Sequence, residues 1–228
     1  MCGRFTLSKD LQQVEQRFEA VAQAGQFRST YNAAPTQGLP VVTNQQRDAL
    51  RFFRWGLIPH WAKDASIGNK MINARAETLT EKPSFKKLID RKRCLVVSDG
   101  FYEWKKLEDA ASRRGKQPYR ITLASGDLFA FAGLWEEWAD RETGEVVPSF
   151  SIITTDANQL VREVHDRMPV ILRPEDEARW LQDGLATSVY LNLLKPYPAA
   201  EMDKYPVAEL VNSPRNNSPD LMQRLNSQ

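Results

Sequence analysis

The sequence predicts a strand-rich α+β fold in a single domain, and three observations carry that reading. Short runs that alternate or stay apolar, at residues 39–43, 50–55, 119–123, 128–134 and 149–155, are bounded by polar or turn-forming residues, as strands are. Only 11–21 and 174–184 show clear helical spacing or helical start and stop signals. The 228 residues contain no internal repeat and no linker, which suits one domain over 1–228, with 212–228 an irregular tail rich in Asn, Ser and Pro.

In chain order, Ser8 is placed to cap a helix whose apolar positions Leu11, Val14, Phe18 and Val21 recur at three and four residues, with Gly25 as its stop. Tyr31-Asn32-Ala33-Ala34-Pro35 reads as extended, because a residue before proline is pushed out of the helical region. Asn32 there suits either a polar contact or a turn. Strands 39–43 and 50–55 flank a polar turn at 43–48 and lead into Trp55-Gly56-Leu57-Ile58-Pro59-His60-Trp61, a loop that Gly and Pro keep irregular. Its tryptophans are either stacking platforms for exposed bases or core residues. His60 alone reads as structural or solvent-exposed.

In Ile72-Asn73-Ala74-Arg75-Ala76-Glu77 an extended backbone sets Asn73, Arg75 and Glu77 on one face. Buried polar groups must be paired, so that line is either a polar site or a solvated edge. A basic run, Phe85-Lys86-Lys87 to Arg91-Lys92-Arg93, precedes an apolar strand opening at Cys94, whose thiol is expected to be buried and inert. Glu103 then stands among Phe101, Tyr102 and Trp104. An apolar surround raises a carboxyl pKa and keeps its proton available near neutral pH; the alternative is an ion pair on a sheet surface.

Residues 107–117 read as a hairpin tip and Ser125-Gly126-Asp127 as a turn. Beyond the strand at 149–155, Asp156 is placed to cap a short helix through Val164. That helix delivers His165 beside Asp166 and Arg167, either as a phosphate-facing or proton-transfer group or as a satisfied structural histidine. A helix at 174–184, a short segment at 188–194 and a strand near 205–210 complete the chain.

An apolar fraction of 42% and an aromatic fraction of 10% are enough for a real core and exclude a disordered chain. No apolar run approaches the roughly 20 residues a bilayer crossing needs. The amino terminus lacks the apolar centre of a signal peptide, since Arg4 and the charges over 9–19 interrupt it. Two cysteines, Cys2 and Cys94, are too few for a disulfide framework, so a cytoplasmic setting is expected. The net charge of +2 hides an asymmetry: residues 1–120 hold 22 Lys/Arg against 12 Asp/Glu, and residues 121–228 hold 9 against 17. A basic half suits an anionic partner such as nucleic acid, or is ordinary solvated charge.

The least ordinary chemistry lies at Met1-Cys2-Gly3-Arg4-Phe5. With Met1 removed, as is usual before a small residue, Cys2 carries an α-amine and a thiol. Their reference pKa values, about 7.7–8.0 and about 8.5, leave both partly deprotonated near neutral pH. Such a pair traps an aldehyde twice, as an imine and then as a thiazolidine ring. An N-terminal nucleophile also suits a hydrolase that uses its own amine as base. A zinc site from Cys2, Cys94, His60 and His165 has no metal-ligand spacing, and no metal or other cofactor is expected.

Together, Met1-Cys2-Gly3-Arg4-Phe5, Tyr31-Asn32-Ala33-Ala34-Pro35, Trp55-Gly56-Leu57-Ile58-Pro59, Ile72-Asn73-Ala74-Arg75-Ala76-Glu77, Gly100-Phe101-Tyr102-Glu103-Trp104 and His165-Asp166-Arg167-Met168-Pro169 resemble the SOS-response-associated peptidase (SRAP) family of abasic-site-processing proteins. The resemblance implies a twisted, barrel-like, mainly antiparallel β-sheet core with flanking helices. It implies a monomer whose partner is single-stranded DNA containing abasic sites, and which crosslinks itself to the lesion. Carried over by motif, Cys2 becomes the attached residue, Asn73 orients amine and sugar, Glu103 shuttles protons, and His165 lies beside phosphate and sugar. Gly3, Arg4, Asn32, Trp55, Trp61, Arg75, Trp104, Thr154 and Arg167 match positions along the DNA channel. The family's peptidase name reflects a proposed self-removal of Met1, for which Cys2, Glu103 and His165 would serve. The alternative is an N-terminal-cysteine peptidase acting on itself or on other peptides. Met168 and the long basic stretch at 107–117 depart from the family pattern.

Overall fold

The computed structural model describes residues 2–23, 25–107 and 115–225. Its strands are β1 (Phe5–Leu7), β2 (Val21–Ala22), β3 (Thr30–Ala33), β4 (Gly38–Thr43), β5 (Gln46–Trp55), β6 (Asn73–Arg75), β7 (Arg93–Ser98), β8 (Gly100–Lys106), β9 (Lys116–Leu123), β10 (Phe129–Ala139), β11 (Val146–Asp156), β12 (Arg167–Pro169), β13 (Ile171–Leu172) and β14 (Met202–Pro206). Its helices are α1 (Leu11–Phe18), α2 (Gln159–Arg162), α3 (Pro174–Leu181) and α4 (Thr187–Leu193). The centre of the hairpin tip expected at 107–117, residues 108–114, lies outside the described residues.

Strands β5, β4, β7, β10 and β11 are antiparallel neighbours in that order. β11 then returns to pair in parallel with β5, Ser149 beside Arg54 and Phe150 beside Trp55, which closes the ring into a five-stranded barrel. Closure removes the open edges a flat sheet would expose. A second sheet, in the order β14-β9-β8-β1-β3, packs against it. The barrel-like, mainly antiparallel α+β core implied by the resemblance is therefore present.

Period-2 alternation gives the barrel strands two apolar faces. One set, including Val42, Leu50, Leu95, Val97, Ala132 and Ile153, packs with Val14 and Phe18 of α1 and with Trp180 and Tyr190 of α3 and α4. The other, including Val41, Phe53, Val96, Phe131 and Ile152, packs with Phe5, Phe101 and Ile121 of the second sheet. That second interface is where the amino terminus enters the core.

Several boundaries differ from expectation. Asp10, and not Ser8, caps α1, through a capping box with Gln13. Ser8 is occupied elsewhere: its N–H and its hydroxyl both donate to Asp99 Oδ2 at 2.6 Å. The helix stops at Glu19, in the left-handed region at φ 50°, so Val21 leaves the helical pattern and stands 66% exposed in β2. Asn158, and not Asp156, caps α2. Glu77 leaves the line of Asn73 and Arg75, because the backbone tightens into a 3₁₀ turn at Ala76–Thr78. The last strand is Met202–Pro206, ahead of a 3₁₀ turn at Glu209–Asn212. The tail is no loose end up to Leu225: Leu221 is buried, and Asn217 accepts from the Tyr31 N–H at 2.7 Å.

A candidate active site at the second residue

β1 is sandwiched between β3 and β8, with Phe5 opposite both Ala33 and Phe101. Its pairing to β8 runs on through a 3.0 Å bond from the Tyr102 N–H to the Arg4 carbonyl. This register carries the preceding residues, Gly3 and Cys2, toward Glu103. β6 lies parallel to β11, with Asn73 beside Ile152, and Asn73 Nδ2 donates to the Cys2 carbonyl at 2.8 Å. Two elements remote in sequence thus grip the same terminus.

Cys2 and Glu103 are both buried. Burial pushes the Cys2 thiol well up, and the negative charge of Glu103 adds to it. Burial likewise raises the Glu103 carboxyl, while the charge of nearby His165 acts the other way. The carboxyl thus holds a proton further toward neutrality than an exposed glutamate, as expected of a group that must give and take one. His165 Nδ1 lies 3.0 Å from the Arg167 N–H and 2.7 Å from Asp166 Oδ1. The backbone N–H serves that nitrogen when it is bare and the carboxylate serves it when protonated, so His165 has a partner in either state. Cys2, Asn73, Glu103 and His165 are brought together in space.

The expected DNA contacts divide. Arg75 is exposed, Trp61 is 47% exposed, and Gly3 and Trp104 are partly exposed, Trp104 donating from Nε1 to Asn212 at 2.7 Å. Trp55, Asn32 and Thr154 are corrections. Trp55 is fully buried, its ring stacked 6.3 Å from Phe150 and its Nε1 bonded to the Ile72 carbonyl, so it offers no face to a base. Asn32 is an internal hub: Oδ1 accepts from Arg4 at 2.9 Å, and Nδ2 reaches the carbonyls of Val211, Ser213 and Asn216. Thr154 is buried on β11 between β6 and β12, opposite Arg75 on one side and Pro169 on the other.

Arg4 also donates to the carbonyls of Val211 and Asn212, clasping the carboxy-terminal segment to the amino-terminal strand. All four terminal N–H groups of Arg167 are committed, to both oxygens of Glu77, to Asp156 Oδ1 and to the Thr154 carbonyl.

Sequence reading missed the buried group behind β1. Asp99 accepts from the Thr6 hydroxyl at 2.5 Å and from Arg120 at 3.2 Å, besides Ser8. The signal available was Asp99 itself, a lone acid closing an apolar run. Among the described residues, no cluster of three or more His, Cys, Asp or Glu suits a metal ion, and no helix is long and apolar enough to cross a membrane.

Fold and site together define a class: a small barrel-cored protein that sets a cysteine at the second position against an amide, a buried carboxyl and an imidazole. The chain belongs to the SOS response associated peptidase (SRAP) family, which it matches over residues 1–214. It is 48% identical over 227 residues, 98% of this chain and 99% of the other, to the abasic site processing protein YoqW of Bacillus subtilis (strain 168). It is 34% identical to the abasic site processing protein HMCES of Xenopus tropicalis, over 86% of this chain and 66% of that one. A crystal structure of a Bacteroides thetaiotaomicron protein superposes with a TM-score of 0.89 at 33% identity, covering 99% of this chain and 100% of the other.

Proposed function

We propose that this protein captures abasic sites in single-stranded DNA by forming a covalent crosslink through Cys2 after removal of Met1. The observation that carries the reading is the convergence on Cys2 of the Asn73 amide, at 2.8 Å from its carbonyl, and of the buried Glu103 carboxyl. The names of the relatives, abasic site processing proteins, support the substrate.

The abasic sugar in its open form presents an aldehyde. The Cys2 amine adds to that carbon, and loss of water gives the imine. The thiol then adds across the C=N bond, its proton passing to nitrogen, and a five-membered thiazolidine closes. Glu103 gives a proton to the departing oxygen and takes one from the thiol, whose raised pKa makes such a base necessary. Asn73 holds the Cys2 backbone, so that amine and thiol stay on one side of the carbonyl carbon. His165, partnered in both protonation states, serves sugar ring opening. Arg75, Trp61, Trp104 and Gly3 contact the strand on either side of the lesion.

The same groups suit removal of Met1: the Cys2 thiol attacks the carbonyl of residue 1, the C–N bond breaks as Glu103 supplies the proton the new amine needs, and water then hydrolyses the thioester, releasing Met1 and restoring the thiol. Incubation of the purified protein with abasic single-stranded DNA should give a denaturation-resistant adduct whose mass is that of both partners less one water. Turnover of unrelated peptides without DNA, and no adduct, would favour a general peptidase instead.

A further inference from the structure

The basic run at 85–93 splits in the fold, and one half has no role in the chemistry above. Arg93 is buried, donating to the carbonyls of Trp180, Ile89 and Gln182 and to Asp183, and so is scaffold. Lys87 and Arg91 remain exposed, and among the described residues neither pairs with a carboxylate. They line a cavity of about 340 Å³ together with Trp61, His60, Leu88 and Glu136.

The floor of that cavity is a built polar group. Glu136 is 5% exposed; its Oε1 accepts from Lys92 Nζ at 2.6 Å and from the Glu137 N–H at 3.0 Å. Its Oε2 lies 3.1 Å from His60 Nδ1. A carboxylate can only accept, so it holds the proton of a neutral imidazole on Nδ1 and leaves Nε2 with a bare lone pair. His60 is 65% exposed through its side chain, so that acceptor is open to a ligand. An aromatic wall, two unpaired cations and one fixed acceptor form a set that fits a nucleotide: ring on Trp61, phosphate on Lys87 and Arg91, base edge on His60.

The cavity and the crosslinking site are supported by one strand: Glu136 pairs with Ser149 on one edge of β11, and Asn73 with Ile152, three residues along, on the other.

We infer that the His60–Trp61 cavity is a second DNA subsite, which seats one undamaged nucleotide of the bound strand and selects a base carrying an exocyclic amine. Cytosine presents N4–H₂ to the Nε2 lone pair, whereas thymine presents an O4 acceptor at the corresponding position and meets it unfavourably. The inference rests on the proposed single-stranded DNA function, and its test separates the two.

Binding of lesion-free oligo-dC and oligo-dT is measured by fluorescence anisotropy at pH 8, above the ordinary histidine range. Two pyrimidines are compared so that stacking differs little. Wild type should hold oligo-dC about five-fold more tightly, the worth of one hydrogen bond. His60→Phe keeps a ring but loses the acceptor, and should bring the ratio to about one. Lys87→Gln with Arg91→Gln should weaken both oligonucleotides alike and lower the salt slope by about two. Equal binding by wild type, or a ratio that survives His60→Phe, overturns the subsite while leaving adduct formation on abasic DNA intact. Failure of wild type to form any adduct overturns the crosslinking reading instead.

Discussion

Cys2 and Cys94 are the two cysteines of the chain, and by exposure they are the same residue. Both are fully buried, and burial pushes both thiols up. Their company differs. Cys94 sits in mid-strand between β4 and β10, opposite Thr43 and Gly133, and burial is the one influence on its thiol. Cys2 precedes the first strand, its carbonyl held by Asn73 and its thiol within the field of Glu103. Burial makes a thiol inert. A proton acceptor beside it, and a nitrogen freed by loss of one residue, turn the same buried thiol into half of a trap.

The sharpest way to break that comparison is to remove each sulfur in turn. Cys2→Ala should abolish the adduct with abasic DNA, and Cys94→Ala should form it at the wild-type rate, both read by denaturing gel and intact mass. An adduct on Cys2→Ala would mean that an amine alone, here or on a lysine, carries the reaction.

Next in size is the acid. Glu103→Gln keeps the shape but cannot shuttle a proton, and should slow adduct formation about a hundred-fold or more. The same change has a stability signature. The raised Glu103 pKa means the folded state holds this proton more tightly than the unfolded chain does. Stability from this group is complete below the ordinary glutamate range and is lost as pH rises through the raised value. Glu103→Gln should therefore flatten that part of the stability–pH curve and leave the variant at least as stable as wild type at pH 8. A variant both slower and markedly less stable would make Glu103 a structural partner.

Asn73→Ala removes one hydrogen bond to the Cys2 carbonyl. At about 1 kcal/mol for such a bond, the adduct rate should fall several-fold, well short of the Glu103 effect. Stopped-flow mixing with pre-bound DNA isolates this step from binding.

The comparison also shows what a sequence can and cannot disclose. Of the expected site residues, only Cys2 stood out by its own chemistry, a thiol beside the chain's first residue; Asn73, Glu103 and His165 each read equally as scaffold or solvated surface, and only the six blocks taken together singled them out. Trp55 and Trp61 were not distinguishable, because a loop held irregular by Gly56 and Pro59 gives no period from which to read a face. Only the parallel pairing of β5 with β11 decides that Trp55 stacks on Phe150. Asn32 was open for a related reason: its three carbonyl partners come from residues 211–216, a segment without apolar pattern. The barrel strands were visible as alternation, but their closure depends on a single long-range pairing that no local signal announces.

The smallest effect tests the inert side of the comparison. A methyl placed on Gly133 would lie 2.8 Å from Cys94 Sγ, 3.0 Å from Val96 Cγ2 and 3.2 Å from the Ser151 carbonyl. Gly133→Ala should thus cost about 2 kcal/mol by overpacking, and Cys94→Ala about 1 kcal/mol by leaving a small cavity. In the double variant the new methyl fills the space the sulfur vacates. The combined loss in denaturant unfolding should fall short of the sum by about 1 kcal/mol, while the adduct rate stays at wild type throughout. Strict additivity would mean that the clash with Val96 and Ser151 dominates. A slowed adduct in Cys94→Ala alone would show that the mid-strand thiol is coupled to the terminus after all, and that the contrast between the two cysteines is one of degree.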